Sequence, residues 1–269
     1  MSYIKINTTP KLSIINIDNH VFHVANHWFW KQFPEWEPET FEFYERYCVQ
    51  ESNVLDIGAW IGPTALIALR YKAKTVTMVE PNPATIKILE NSIQLDGSLR
   101  DSWNILPYCV SNKLNSIPFG MPDGNIRSSS AASTRGTGAF VNTITIEKII
   151  NTIDMAKVSL IKIDIEGSEY DIISDLVNFS RYNAPIWLSL HPPFVPNTTE
   201  LASRINHLYD YFYILNAKLN NLSPSELEYM ILYSKHEIPS WGTEFGNFFE
   251  IALFPKQFFD SRGNRTDTN

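Results

Sequence analysis

The sequence predicts a doubly wound, mostly parallel α/β sheet of Rossmann-like architecture, and three observations carry that expectation. From Asn53 onward, short apolar runs alternate with stretches of helical periodicity, which is the pattern of consecutive β-α-β units. The first run, Val54 to Ile57, leads into a glycine-bearing turn, Gly58 to Gly62, that opens a helix. The second ends on a carboxylate, Glu80, 22 residues beyond Gly58, the spacing at which two successive strands of such a sheet finish side by side.

Each element follows in order. Residues 1–51 are rich in aromatics, with Trp28, Phe29, Trp30, Phe33 and Trp36 closest together, and read as an N-terminal extension packed on the core with a helix within Thr40 to Val49. Their other possible use is an aromatic wall for a substrate, because Trp and Tyr join an apolar face to a polar handle. Residues 52–256 hold the main domain. Asn53 to Ile57 is its first strand, and Gly62 to Tyr71 its first helix, with Pro63 where a missing N–H costs nothing. Thr75 to Glu80 is the second strand. Asn82 to Leu95 is the second helix, capped by Asn82, opened by Pro83 and followed by Gly97. Its stripe of Ile86, Leu89 and Ile93 is core.

Trp103 to Val110 is expected as a third strand. The Gly-, Ser- and Asn-rich stretch from Ser111 to Gly138 is too long for a plain connection, and a hairpin plus a mobile segment near the site is expected there. Thr145 to Ile153 is expected helical, Val158 to Ile165 a fourth strand, Ser168 to Phe179 a helix and Pro185 to Leu190 a fifth strand. One more helix and two or three closing strands complete the sheet, Tyr211 to Leu215 and Phe248 to Phe254 being the clearest. Residues 257–269 form a polar tail expected to lack a fold.

At 269 residues and 44% hydrophobic, the chain can bury a large core as one domain. A formal net charge of −7 offers no basic footprint for a phosphate backbone, so no nucleic-acid partner is expected. Cys48 and Cys109 have no ligand spacing, which argues against a disulfide framework or a thiolate metal site. Without a long apolar leader or a stretch of about 18 apolar residues, a cytoplasmic protein with no membrane partner is expected. Its oligomeric state is left open.

The glycine turn and Glu80 suit a nucleoside, since a carboxylate at a strand tip can accept hydrogen bonds from both ribose hydroxyls. A diphosphate suits them poorly. Trp60 stands where the dinucleotide fingerprint needs a small residue, and Asp56 adds a negative charge, which fits an ammonium and a sulfonium better. Trp60 and Asp56 thus argue against a nicotinamide-dependent dehydrogenase.

Asp56 to Thr64 and Val79 to Pro83 resemble the first two motifs of class I S-adenosylmethionine methyltransferases. Leu160-Ile161-Lys162-Ile163-Asp164-Ile165-Glu166-Gly167-Ser168-Glu169 resembles the fourth-strand signature of FkbM-type methyltransferases, and with Trp36-Glu37 the similarity runs in register over about residues 36 to 180. The resemblance implies a methyltransferase sheet binding S-adenosylmethionine. It places Asp56, Gly58, Ala59 and Gly62 along the methionine and ribose, Glu80 on the ribose hydroxyls, Pro81 and Asn82 beside the adenosine, and an adenine contact near Val110 and Ser111. Trp60, and His191 after the fifth strand, depart from the family pattern.

Alternation along the fourth strand puts Leu160, Lys162, Asp164 and Glu166 on one side and the isoleucines on the other. A lysine inside a buried strand needs a partner, Asp56 or Asp164 being the nearest acids in sequence reasoning. Asp164, Glu166 and His191 all lie at strand ends facing the expected cleft and are the candidate catalytic residues, His191 as the base that takes a hydroxyl proton. Their spacing does not point to a metal, and none is expected. Glu169 reads as a first-turn acid favoured by its helix dipole. The resulting expectation is an O-methyltransferase acting on a hydroxyl of a sugar or related metabolite, a small-molecule or glycan substrate. Two alternatives stay open. His191-Pro192-Pro193-Phe194 is similar to the Asn/Asp-Pro-Pro-Tyr/Phe motif of amino-group methyltransferases, and a non-catalytic cofactor- or glycan-binding module would also use the aromatic N-terminus.

Overall fold

A computed structural model of the chain describes residues 4–112, 115–119, 140–234 and 248–259. Residues 4–25, part of the extension expected to pack on the core, form an antiparallel sheet of β1 (Ile4–Thr8), β2 (Leu12–Ile17) and β3 (His20–Ala25). Period-two alternation drives it: Ile15 and Ile17 turn inward while Ile14 and Asn16 point away. Asp18 and Asn19 join β2 to β3 with φ of 46° and 74°, the left-handed pair that a tight hairpin needs. The sheet is tied to the main domain where Ala25 N–H donates to Ser92 Oγ at 3.0 Å and His23 N–H to Asp96 Oδ2 at 3.0 Å.

After α1 (Pro38–Tyr47) the chain enters β4 (Asn53–Ile57), α2 (Pro63–Arg70), β5 (Thr75–Val79) and α3 (Pro83–Leu95). Asn82 caps α3, its side chain accepting from Ala84 N–H. Gly97 does not close this helix as expected. Asp96 caps a further turn instead, α4 (Gly97–Ser102), with its carboxylate on Ser98 N–H. The expected third strand is broken in two, β6 (Trp103–Leu106) and β7 (Cys109–Val110), because Pro107 has no N–H to give a ladder. β8 (Ser116–Pro118) and β9 (Phe140–Ile144) pair antiparallel, which supplies the expected hairpin, and the mobile segment expected within it lies outside the described residues.

The second half continues with α5 (Ile146–Thr152), β10 (Val158–Ile163), α6 (Glu169–Ile172), β11 (Ile186–Leu190), α7 (Thr198–Asn206), β12 (Phe212–Asn216), α8 (Pro224–Ser234) and β13 (Phe249–Pro255). Seven strands form the central sheet in the order β12-β13-β11-β10-β4-β5-β6. The five from β11 to β6 run parallel, and β13 lies antiparallel to both β11 and β12. The sheet is doubly wound and mostly parallel, as expected. Its strand order reverses between β4 and β10, the switch point at which ligands bind in such sheets.

Both faces are covered, so the parallel strands are mostly apolar, with Asp56 and Lys162 as charged exceptions. One face packs Leu55, Ile161 and Ile163 against helices carrying Ile149, Ile172 and Leu201. The other packs Leu66, Leu89 and Leu160 with Trp30, Phe33 and Tyr44 of the N-terminal region, so part of the aromatic cluster is core. Trp187 of β11 locks α1 to this face by donating from Nε1 to Thr40 Oγ1 at 3.0 Å. No helix among the described residues is long and apolar enough to cross a membrane. The tail expected to lack a fold from residue 257 is structured at its start, where Lys256–Phe258 form a helical turn that buries Phe258 in the core; residues 260–269 lie outside the described residues.

Candidate active site

The turn after β4 is shaped by what packs beneath it. Gly58 has φ of +86°, and a Cβ there would stand 1.7 Å from the Asp164 carbonyl oxygen, so only glycine lets the ends of β4 and β10 close. Asp164 N–H donates to the Ile57 carbonyl at 2.9 Å and completes the seam. Gly62, also left-handed, faces the Trp103 ring. The freedom expected of these glycines for approach to a ligand is used first for packing.

Two connected spaces open above the switch point. A narrow crevice runs past Gly58, Glu80, Pro81, Asn82 and Val110. A cavity of about 470 Å³ lies beside it, walled by Trp28, Phe29, Trp36, Phe194 and Phe248 and floored by Asp56, Lys162, Asp164, Glu166 and His191. Gly58, Trp60, Asp164 and Glu166 line both. Ala59, Pro63 and Thr64 line the cavity, whereas Gly62 and Ser111 line neither space. Ser111 is buried, its N–H on the Ile144 carbonyl at 3.1 Å, while Cys109 and Val110 line the crevice.

Glu80 is held by backbone: Oε2 accepts from Trp60 N–H at 3.0 Å and Oε1 from Asn82 N–H at 2.8 Å. Burial pushes its pKa up to about 7 against those bonds. One carboxylate oxygen can accept two hydrogen bonds, so each keeps capacity for a further donor. Asp56 accepts from Thr64 Oγ1 through Oδ2, while Oδ1 has no partner, and burial raises its pKa to about 6.

Lys162, 1% exposed, finds the partner it requires in Asp164, at 3.0 Å, and donates to Ser189 Oγ at 2.7 Å. Asp56, the other acid considered, forms no ion pair with it. Burial works against the ammonium, yet Asp164, Glu37 and Glu250 outweigh burial and hold its pKa above the ordinary range. The same pairing, with His191, keeps Asp164 low despite its own burial.

His191 stands among three carboxylates: Nδ1 is 2.9 Å from Glu169 Oε1, and Nε2 is 3.7 Å from Asp164 Oδ1 and 3.8 Å from Glu166 Oε2. Burial alone would lower its pKa, but Glu169 foremost, with Asp164 and Glu166, raises it to about 9. That direction favours the protonated ring, which has no free lone pair to take a proton, against the base role expected of it. Glu166 suits it better, since burial lifts its carboxyl to about 7. Glu169 is more than a first-turn acid. Fully buried, it accepts from the N–H groups of Ile165 and Gly167 and orients His191. Asp164, Glu169 and His191 offer atoms within 4.8 Å of one another, but Glu169 and His191 satisfy each other directly.

Glu37, which sequence reasoning left without a role, also reaches the cavity. It adopts φ of 38°, and its carboxyl accepts from Thr40 Oγ1 at 3.0 Å, behind the Trp187 bond. Burial moves its pKa to about 8. Trp60 (φ 47°) and Glu166 (φ 55°) share this left-handed backbone, and all three side chains line the cavity. Backbone strain held at a cleft marks a functional constraint.

These pKa shifts predict a pH dependence of stability. His191 binds its proton more tightly folded, at about 9, than unfolded, at about 6.5. Its contribution is therefore complete below pH 6.5 and lost as pH rises through 9. Glu37 and Glu166, raised to about 8 and 7, act in the same sense. Tm measured from pH 6 to 9.5 is expected to fall, and to fall less in His191→Gln; a rising Tm would remove the imidazolium.

Fold and site together define a doubly wound α/β domain with an acid-lined cavity at its switch point. The chain belongs to the FkbM methyltransferase family: the methyltransferase FkbM domain model matches residues 56–213, more than half of it. Among curated proteins it is 29% identical over 131 residues to hexuronic acid methyltransferase AglP of Haloferax volcanii, covering 48% of this chain and 52% of that one. The chain thus spans about half the length of the curated relative it matches. Among solved structures it is similar to methyltransferase FkbM from Methylobacillus flagellatus (TM-score 0.44, 16% identity, 80% of this chain and 50% of that one). It is also similar to a precorrin-6y C5,15-methyltransferase from Geobacter metallireducens (TM-score 0.41, 11% identity, 81% and 90%).

Proposed function

We propose that the protein is an S-adenosylmethionine-dependent O-methyltransferase whose acceptor is a sugar hydroxyl. One observation carries the reading: a carboxyl poised near neutrality, Glu166, lines both the narrow crevice beside Glu80 and the aromatic cavity. The residues of both spaces fit the cofactor, because Asp56 Oδ1 on the cavity floor is a buried acceptor without a hydrogen-bond partner, which suits an ammonium, and Glu80 in the crevice retains capacity for ribose hydroxyls. In this reading Asp56, Gly58 and Ala59 flank the methionine end, Glu80 the ribose, and Pro81 and Asn82 the adenine side. When bound, the cofactor supplies an electrophilic methyl carbon on a sulfonium.

The remaining chemistry belongs to the chain. Unprotonated Glu166 accepts from the acceptor hydroxyl and takes its proton as the oxygen attacks, while Asp164, fixed by Lys162, accepts from a neighbouring hydroxyl of the sugar and aims it. His191, clamped by Glu169, is a fixed positive charge that keeps these carboxylates in place. Tryptophan and phenylalanine faces above this floor suit the apolar faces of a pyranose, and a relative named for hexuronic acid supports a sugar. A protonated His191 does not accept a hydrogen bond from a target amine, which weighs against N-methylation.

Incubation with methyl-labelled cofactor and a panel of sugars, amines and oligonucleotides tests the proposal. Label is expected in an alkali-stable sugar ether, and Glu166→Gln is expected to lower kcat on the order of 10²-fold. Label in an amine or a base would contradict the reading.

A further inference from the structure

We infer that the Thr85 hydroxyl reads the base of the nucleoside held in the crevice, so that base recognition comes from the first turn of α3 and not from the end of the third strand, where it was expected. This rests on the cofactor reading above.

Thr85 is 1% exposed and lines the crevice with Pro81, Val110 and Phe119, yet its Oγ1 finds no hydrogen-bond partner among the described residues. Such a hydroxyl is unfavourable, because it gave up its bonds to water on folding. Its place in the helix explains why it is left over. A serine or threonine inside a helix commonly donates to the carbonyl one turn back, as Ser92 of α3 does to Ile88 at 2.9 Å. α3 begins at Pro83, so one turn back from Thr85 lies Pro81, outside the helix, and the Asn82 carbonyl already accepts from Ile86 N–H at 2.9 Å.

The neighbouring polar groups have other tasks. Glu80 is fixed by Trp60 and Asn82 N–H and serves the ribose in the cofactor reading, and Asn82 Oδ1 caps Ala84 N–H at 3.0 Å. Ser111, the residue expected to meet the base, lines neither space. A purine beside Pro81, Val110 and Phe119 buries its faces against apolar groups, but its nitrogen-rich edge then loses water and needs a partner. A hydroxyl both donates and accepts, so Thr85 can pair with a ring nitrogen or with an exocyclic amine.

Two readouts of opposite sign separate recognition from packing. The full chain is titrated calorimetrically with S-adenosylhomocysteine, and with adenosine and dideoxyadenosine by displacement, as wild type, Thr85→Val, Thr85→Ser and Glu80→Gln. Each protein is also melted without ligand. Thr85→Val keeps the shape and removes the hydroxyl; it is expected to weaken all three ligands about tenfold. It is also expected to raise the Tm of the ligand-free chain by about 2 °C, because the unpaired group is gone. Thr85→Ser retains the hydroxyl and is expected to keep most of the affinity. Glu80→Gln is expected to weaken adenosine but not dideoxyadenosine, which lacks both ribose hydroxyls. Affinity unchanged in Thr85→Val, a loss that vanishes with dideoxyadenosine, or a Tm that falls together with affinity would overturn the inference alone. Failure of wild type to bind S-adenosylhomocysteine would overturn the cofactor reading, and the inference with it.

Discussion

Gly58→Ala is expected to destabilise the fold by about 4 kcal/mol or more. An alanine in the left-handed region costs roughly 1–2 kcal/mol. Forced overpacking adds about 1–3 kcal/mol, and here the obstruction is rigid, because the new Cβ would lie 1.7 Å from the Asp164 carbonyl oxygen. Relief requires parting β4 from β10, the seam through which Asp164 N–H reaches Ile57. Gly62→Ala is the internal control: its Cβ would meet the Trp103 ring at 2.9 Å, and a side-chain edge yields more easily than backbone. Urea midpoints at unchanged m-value report both variants, and a Gly58→Ala midpoint near wild type would refute this account of the turn.

Lys162→Met carries the second large effect. The methionine fits the volume, but Asp164 loses the ammonium at 3.0 Å and Ser189 its donor, leaving acid at a buried floor. Removing one partner of a buried ion pair costs about 3–5 kcal/mol, mostly the penalty of the charge left behind. The burden spreads, because Glu37 and Glu250 also face Lys162, and each is raised by burial and held down by that cation. Lys162→Met/Asp164→Leu is expected to recover part of the stability while abolishing turnover. A double variant no more stable than Lys162→Met would show that the pair is not the source.

What could be read from the sequence, and what could not, separates along physical lines. The central sheet was legible because burial on both faces makes Val54 to Ile57 and Leu160 to Ile163 unbroken in apolarity apart from Asp56 and Lys162, which thereby announce themselves. Asp56, Gly58, Glu80, Asp164 and Glu166 were legible for a related reason, since strand tips at a switch point are fixed by local pattern. The N-terminal sheet was missed although its alternation was present, because the aromatics that follow it dominated the reading of that region. Asp18-Asn19, between two alternating runs, was the available signal. Glu169 and Glu37 were beyond local pattern. One acquires its role from His191, 22 residues away, and the other from a turn that folds back over β10. The proton on His191 likewise depends on three carboxylates that meet only in the folded chain.

The central claim is that the crevice between Gly58 and Glu80 holds the adenosyl end of a sulfonium cofactor. Calorimetric titration of the wild-type chain and Glu80→Gln with S-adenosylhomocysteine, beside NAD as a control, tests it most directly. The account predicts saturable one-to-one binding to wild type, affinity weakened in Glu80→Gln by about 1–3 kcal/mol for lost charge-assisted hydrogen bonds, and no binding of NAD. Equal affinity in the two proteins, or binding of NAD in preference, would contradict it.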